Sequence, residues 1–249
     1  MTIYFKESQY GHFCLIENDL ISNFINQHGF WEGHLRYLYS QFIKSNFTII
    51  DGGANIGFHT VQFAKLANEG RVYSFEPQPF IFNVLSTNCL LNGASDVIRQ
   101  SRLGLGDELS SFKMTPLKDQ VFSPNCVNYG GRGLTNSDVG EEDVQVITID
   151  SLLLTKLDFM KFDVQGFELK TLVGGRDTIS KNKPIIFIEN SADVESDKLV
   201  IDMLKEEFGY VIYRLHIGNK EDCVVLDPVK HIEETKFIES QTQIKLEKI

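Results

Sequence analysis

Residues 48 to 60 read Thr-Ile-Ile-Asp-Gly-Gly-Ala-Asn-Ile-Gly-Phe-His-Thr, which joins a short apolar strand, an acid, a glycine-rich turn and a helix start. That order predicts a strand–turn–helix unit of a layered α/β domain, with a nucleotide-shaped socket at the turn. Gly52, Gly53 and Gly57 permit a tight backbone turn and close approach to a ligand. The following helix aims unsatisfied N–H groups at whatever lies there. A second strand, Arg71-Val-Tyr-Ser-Phe, ends in Glu76 and Pro77, 25 residues after Asp51. An acid at that place can accept hydrogen bonds from ribose hydroxyls.

The turn itself narrows the ligand. A dinucleotide fingerprint counted from Gly53 requires glycine at Asn55 and at Phe58, and both differ. Asp51 at the mouth of the turn opposes a pyrophosphate and suits a positively charged ligand such as a sulfonium or ammonium. S-adenosylmethionine carries both, together with a ribose. The competing reading is a turn whose glycines serve chain reversal alone; the second acid in register argues against it.

The 249 residues suffice for one domain with a sizeable core, and 42% hydrophobic content fits a water-soluble globular protein. No apolar run is long enough to span a bilayer, and the amino terminus lacks the features of a secretory signal, so a cytoplasmic enzyme is expected. Cys14, Cys89, Cys126 and Cys223 are widely spaced, which indicates neither a zinc site nor a redox pair. A net charge of −10 without a Lys/Arg cluster argues against nucleic acid as the partner. The expected partner is a small-molecule or saccharide acceptor.

Strands and helices alternate along the chain, as in a mostly parallel sheet covered by helices on both faces. Leu35, Leu38, Tyr39, Phe42 and Ile43 give a helix before the first strand, and Pro79 and Gly93 bracket another. Further strands are predicted at 97–103, 159–163 and 184–189, and the segments 210–216 and 223–226 at the end are close enough to form an antiparallel edge hairpin. Residues 1–45 read as an extension packed on the domain formed by 46–249. The segment 107–150, rich in Asn, Gly, Ser and Asp, breaks the rhythm and reads as a long loop, either a lid or substrate-side wall with Asn128 and Tyr129 at its centre or a solvated surface excursion.

Ligands of open α/β sheets lie across the carboxyl ends of the strands, and four of those ends carry acids: Asp51, Glu76, Asp163 and Glu189. With the first two assigned to the cofactor, Asp163 and the Glu189-Asn190 pair stand where the methyl group would emerge. Asp163 then either fixes the cofactor's methionine end or the acceptor, or joins Glu189 and Asn190 as an oxygen ligand of a divalent cation. The metal-free role is preferred. A hydroxyl acceptor needs a base, and His59 and His216 have the appropriate intrinsic basicity.

Three blocks resemble the FkbM-type family of S-adenosylmethionine-dependent methyltransferases: Ile50-Asp51-Gly52-Gly53-Ala54-Asn55-Ile56-Gly57, Phe75-Glu76-Pro77-Gln78-Pro79, and Asp158-Phe-Met-Lys-Phe-Asp163-Val-Gln165-Gly166-Phe-Glu168. The resemblance implies a Rossmann-like class I methyltransferase fold with a seven-stranded sheet. It places Asp51, Gly53, Asn55 and Gly57, with Gly52, Phe58 and Thr60 beside them, around the methionine part of the cofactor, and Glu76 with Pro77 at its ribose. It also implies methyl transfer to oxygen on sugars or other hydroxylated metabolites, with N-methylation and a non-catalytic cofactor-binding module as alternatives. Phe30-Trp31-Glu32 is similar to an aromatic–acid pair ahead of the family's first strand, which makes Glu32 a substrate-side candidate. Gly52 replaces a usual valine and Gln165 a usual glutamate, so Gln165 alters the charge beside Asp163.

Overall fold

A computed structural model describes residues 2–189, 195–217, 220–241 and 246–249. The chain opens with a hairpin, β1 (Ile3–Ser8) and β2 (Gly11–Ile16), followed by α1 (Leu20–His28) and α2 (Gly33–Phe42). The motif then appears as β3 (Thr48–Gly52) running into α3 (Phe58–Leu66), and next come β4 (Arg71–Phe75), α4 (Pro79–Leu91) and β5 (Ile98–Ser101). From there the chain forms β6 (Gly104–Leu105), β7 (Ser110–Met114), β8 (Val121–Ser123), β9 (Cys126–Val127), β10 (Leu134–Thr135) and β11 (Asp143–Ile147). The layered pattern resumes with β12 (Phe159–Phe162), α5 (Glu168–Val173), α6 (Arg176–Asn182) and β13 (Ile185–Glu189). It closes with α7 (Glu195–Asp202), β14 (Val211–Ile217), β15 (Lys220–Leu226), α8 (Ile232–Glu239) and β16 (Leu246–Lys248).

The main sheet has the order β16-β14-β15-β13-β12-β3-β4-β5. Strands β5, β4, β3, β12 and β13 are parallel, and β15, β14 and β16 are antiparallel. The expected edge hairpin is therefore present, but the sheet has eight strands among the described residues and not seven. The eighth, β16, is three residues long and pairs beyond the predicted hairpin, too short to announce itself by alternation. Both faces of the sheet are covered. One buries Ile49, Phe63, Phe159 and Phe187 with Tyr39 and Phe42 of α2, and the other buries Ile50, Met160, Ile186 and Ile188 with Leu172 and Leu204.

Two expectations change. The segment 107–150 is not a bare loop, because β10, β7, β11 and β6 form a second, four-stranded sheet. Its strands are short and separated by polar stretches, so each buries apolar area only by pairing with the others. The amino-terminal extension is also more structured than one helix. Strand β2 lies beside α4, where two asparagines one helical turn apart stand in for a neighbouring strand. Asn88 accepts from the Cys14 N–H at 2.6 Å and donates to the Cys14 carbonyl at 3.1 Å, and Asn92 makes the matching pair with His12 at 3.1 and 2.8 Å. Buried backbone groups need partners, and these side chains supply them.

Candidate cofactor and active site

A cavity of about 210 Å³ opens at the carboxyl ends of β3, β4 and β12. Gly53, Asn55, Phe58, His59, Glu76 and Pro77 contribute to its wall from the first two motif blocks, and Lys161, Asp163, Gln165 and Glu189 from the later strands. Trp31, Asn128, Arg132 and Leu134 reach it from the amino-terminal segment and the second sheet.

The glycine turn is shaped by chain packing as much as by a ligand. Gly53 has φ +72°, and a Cβ there would lie 1.9 Å from the Asp163 carbonyl oxygen; Gly57 has φ +84°, and its Cβ would meet Leu85 at 2.5 Å. Glycine at these positions lets the turns after β3 and β12 touch and lets α3 pack on α4. Between them Asn55 adopts φ 49°, a left-handed conformation that asparagine tolerates.

Glu76 ties this turn to the next one. Its Oε2 accepts the Asn55 main-chain N–H at 2.9 Å and its Oε1 accepts that of Gln78 at 2.9 Å. Each carboxylate oxygen retains a lone pair for a further donor. Burial pushes the Glu76 carboxyl up to about 7, against the lowering effect of those N–H groups. The nearby wall carries unused polar capacity: His59 Nδ1 and Asn128 Oδ1 are buried without a hydrogen-bond partner. A polar ligand with hydroxyl and amino groups matches this set of acceptors.

Asp51 sits deeper than expected from sequence. It is 0% exposed and does not line the cavity. Its Oδ2 accepts the Thr60 hydroxyl at 2.5 Å, while Oδ1 has no hydrogen bond and lies 3.9 Å from the Lys161 ammonium. Thr60, Gly52 and Gly57 likewise shape the turn from behind the wall. Tyr129 is buried in the adjoining apolar cluster, and its neighbours Asn128 and Gly130 face the cavity.

Lys161, which spacing arguments passed over, stands at the centre of the acids. It pairs with Asp51 in the β12–β3 register, is 5% exposed, and lies 4.0 Å from Asp163 Oδ2. Burial alone would lower its basicity, but Asp163, Asp51, Glu32 and Glu189 outweigh that and hold the ammonium above its ordinary value. A signal existed: strand alternation puts Lys161 and Asp163 on one face. Gln165, at φ 50°, donates its amide N–H to Asp163 Oδ1 at 2.6 Å and to Glu189 Oε2 at 3.3 Å. The glutamate usual at this place would bring a third negative charge, whereas the amide bridges the two carboxylates.

His59 and His216, the two candidate bases, part company. His59 Nε2 contacts Glu32 Oε2 at 3.0 Å, and both side chains are buried; Glu32 lines a small cleft next to the cavity that shares Lys161, Asp163 and Glu189 with it. His216 lies on β14, pairs with Glu247 at 2.9 Å and does not line the cavity. Of the three residues considered for a divalent cation, Asp163 and Glu189 are bridged by Gln165, and Asn190 lies outside the described residues. Among the described residues no three or more His, Cys, Asp or Glu side chains are grouped to hold a metal ion. No helix among them is long and apolar enough to cross a membrane.

Residues 51–212 match the methyltransferase FkbM domain family. Two curated relatives are Methyltransferase sdnD of Sordaria araneosa, 25% identical over 159 residues, and Methyltransferase 1 of Beauveria bassiana (strain ARSEF 2860), 26% identical over 143 residues. The matches cover 53% and 51% of this chain and 61% and 57% of those relatives, so the chain spans about six-tenths of their length. The crystal structure of Methyltransferase FkbM from Methylobacillus flagellatus KT superposes with a TM-score of 0.53 at 20% identity, covering 83% of this chain and 52% of that one. The turn after β3, the acid closing β4 and the Lys161–Asp163 strand end thus belong to a shared domain, and the chain is a member of the methyltransferase FkbM domain family.

Proposed function

We propose that this protein is an S-adenosylmethionine-dependent methyltransferase acting on a hydroxyl of a saccharide or other small hydroxylated metabolite. The observation that carries the reading is Glu76: a buried carboxylate at the cavity wall, fastened by the Asn55 and Gln78 N–H groups, with capacity left for the two hydroxyls of a ribose. Family membership supports methyl transfer as the chemistry.

In this reading Glu76 holds the ribose, and the turn from Gly53 to Asn55 with Phe58 borders the rest of the cofactor. When bound, S-adenosylmethionine supplies an electrophilic methyl group on a positively charged sulfur. The protein's own contribution is placement and charge: the cavity wall positions the reacting groups, and Asp163 at the mouth of β12 receives a proton. His59, held by Glu32, orients the wall next to that acid. Trp31, Asn128 and Leu134 line the acceptor side and mix apolar surface with an amide, which suits a hydroxylated ligand.

A second reading is favoured by the surplus of carboxylates. Glu32, Asp163, Glu189 and Asp222 all border the cleft beside Lys161, and such a surplus attracts a cationic acceptor, so an amine is the alternative.

Isothermal titration with S-adenosylhomocysteine, the demethylated product, tests the core of this proposal. Saturable binding that Glu76→Ala weakens by about 1–3 kcal/mol is expected; no heat of binding to the wild-type protein would remove it. Matched panels of hydroxyl and amine acceptors separate the two readings.

A further inference from the structure

The Lys161 ammonium is buried, borders both the cavity and the adjoining cleft, and makes no hydrogen bond among the described residues. Its nearest carboxylate oxygens lie at 3.9 Å (Asp51 Oδ1) and 4.0 Å (Asp163 Oδ2), beyond hydrogen-bond reach. With 7% of its side chain exposed and a place in the cavity wall, Lys161 is largely desolvated yet open to the cavity, and an ammonium so placed favours an acceptor supplied by a ligand there. Only one of the two carboxylates can share a ligand from the cavity, because Asp51 does not line it and Asp163 does. Gln165 occupies Asp163 Oδ1, which leaves Oδ2 turned toward Lys161.

The separation has a chemical meaning. A single oxygen placed about 2.8 Å from each group spans such a gap with roughly a right angle at that oxygen. One of its contacts is then to a cation and the other to a base. We propose that Lys161 Nζ and Asp163 Oδ2 together hold the acceptor's hydroxyl oxygen, Lys161 as hydrogen-bond donor and Asp163 as proton acceptor, and that this pair selects oxygen over nitrogen as the methylated atom.

The inference rests on the methyl-transfer reading and deepens it. As transfer proceeds, the acceptor O–H bond breaks with its proton passing to Asp163 Oδ2, and the oxygen bonds to the methyl carbon. The methyl–sulfur bond breaks with its electron pair left on sulfur, which becomes a neutral thioether. The oxygen gathers negative charge on the way, and an adjacent ammonium stabilises it in a site screened from water. A neutral amine instead gathers positive charge as it takes a methyl group, and the same ammonium opposes that. The carboxylates around Lys161 keep it charged; their surplus attracts an approaching cation, but the group touching the reacting atom is the ammonium.

The test compares wild type with Lys161→Met and Lys161→Arg. Affinity for S-adenosylhomocysteine is measured by titration, and turnover with S-adenosylmethionine is measured on methyl α-D-glucopyranoside, glycerol and 4-nitrophenol as hydroxyl probes and benzylamine as the amine probe. The expected result is a fall in kcat of about 100-fold for hydroxyl probes in Lys161→Met, product affinity within about threefold of wild type, and partial recovery in Lys161→Arg. Crystals of the product complex should show one oxygen, of water or probe, within hydrogen-bond distance of both Nζ and Oδ2. The assignment is overturned if Lys161→Met keeps its turnover or loses product affinity in step with it. It is equally overturned if the wild type methylates benzylamine and no hydroxyl, or if Lys161 contacts Asp163 directly with nothing between. A wild-type protein that fails to bind the product at all defeats the methyl-transfer reading first, and is recognised by that titration alone.

Discussion

The turns that close β3 and β4 and the segment from Gly104 to Ile147 both line the cavity, yet the contacts that tie each to its neighbours differ in reach. Asn55 and Glu76, which join the first two strand ends, are 21 positions apart. In the second region Gln78 donates to the Tyr129 carbonyl across 51 positions, and Asp19 accepts from the Tyr129 N–H across 110. The first region carries short, repeated strand–turn–helix units whose contacts are set nearby. The second is a set of short strands that pair with one another and are tied to the amino-terminal segment and to the turn after β4 by long-range hydrogen bonds. One part of the cavity wall, from Gly53 to Glu76, is thus joined locally, and another is assembled from the amino-terminal segment, the turn after β4 and the small sheet.

If that contrast is correct, changes in the parallel half should act on the whole fold, and changes in the second region should act locally. The largest effect is expected for Gly53→Ala, which combines a left-handed backbone with a collision at the Asp163 carbonyl. A loss of at least about 3 kcal/mol should appear in urea denaturation. A near-neutral result would mean that the turns after β3 and β12 are not in contact.

Asn88→Ala comes next, because it leaves the Cys14 N–H and the carbonyls of Cys14 and Ile56 unpartnered in a buried place. A cost of about 2–3 kcal/mol is expected, against about 1–2 kcal/mol for the half-buried Asn92→Ala. Equal effects would show that the hairpin is not anchored through the buried asparagine.

Glu76 offers a pH test of similar size. Its folded-state value near 7 lies above the ordinary 4.5, so its contribution to stability is fully present below about pH 4.5 and is lost as pH rises through about 7. The stability of wild type relative to Glu76→Gln should therefore decline across that window. Ribose hydroxyls donate to the ionised form, so product affinity should rise over the same window in wild type and stay flat in Glu76→Gln. Parallel pH profiles for the two proteins would contradict both statements.

The smallest global effect is expected for Arg132→Met. The guanidinium donates to the Thr115 carbonyl at 2.7 Å, to Gln78 Oε1 at 3.4 Å and to Glu141 and Glu142 at 2.9 and 2.6 Å. The two glutamates are well exposed, so those pairs contribute little. Stability should fall by only about 1 kcal/mol. Amide exchange should quicken from Asn128 to Leu134 while β3 and β12 keep their protection. Uniform acceleration would erase the distinction between the two regions.

These differences in reach also explain what was legible beforehand. The strand ends at Asp51, Glu76, Asp163 and Glu189 could be read because a parallel sheet places ligand-facing groups at carboxyl ends, and local alternation marks where a strand stops. The depth of Asp51 could not be read, since only the packing of α3, through Thr60, turns its carboxylate away from the cavity. His216 resembled His59 as a residue type, and the fold separates them by placing His216 on β14, between β15 and the edge strand β16 and away from the cavity wall. Lys161 was visible as a letter in a motif, but its significance depends on Asp163 at the end of its own strand and on Asp51, Glu32 and Glu189 from other elements.

The amino-acid sequence by itself determined the α/β layering, the glycine turn, the acid that closes β4 and the succession of strands and helices along the chain, because each is encoded by periodicity and turn chemistry within a few tens of residues. Tertiary structure alone decided the second sheet, the side-chain ladder that anchors β2, and the isolation of a buried ammonium between two strand-end acids. Those features depend on pairing between separate elements, and which elements meet leaves no periodicity within any one of them to read in the sequence.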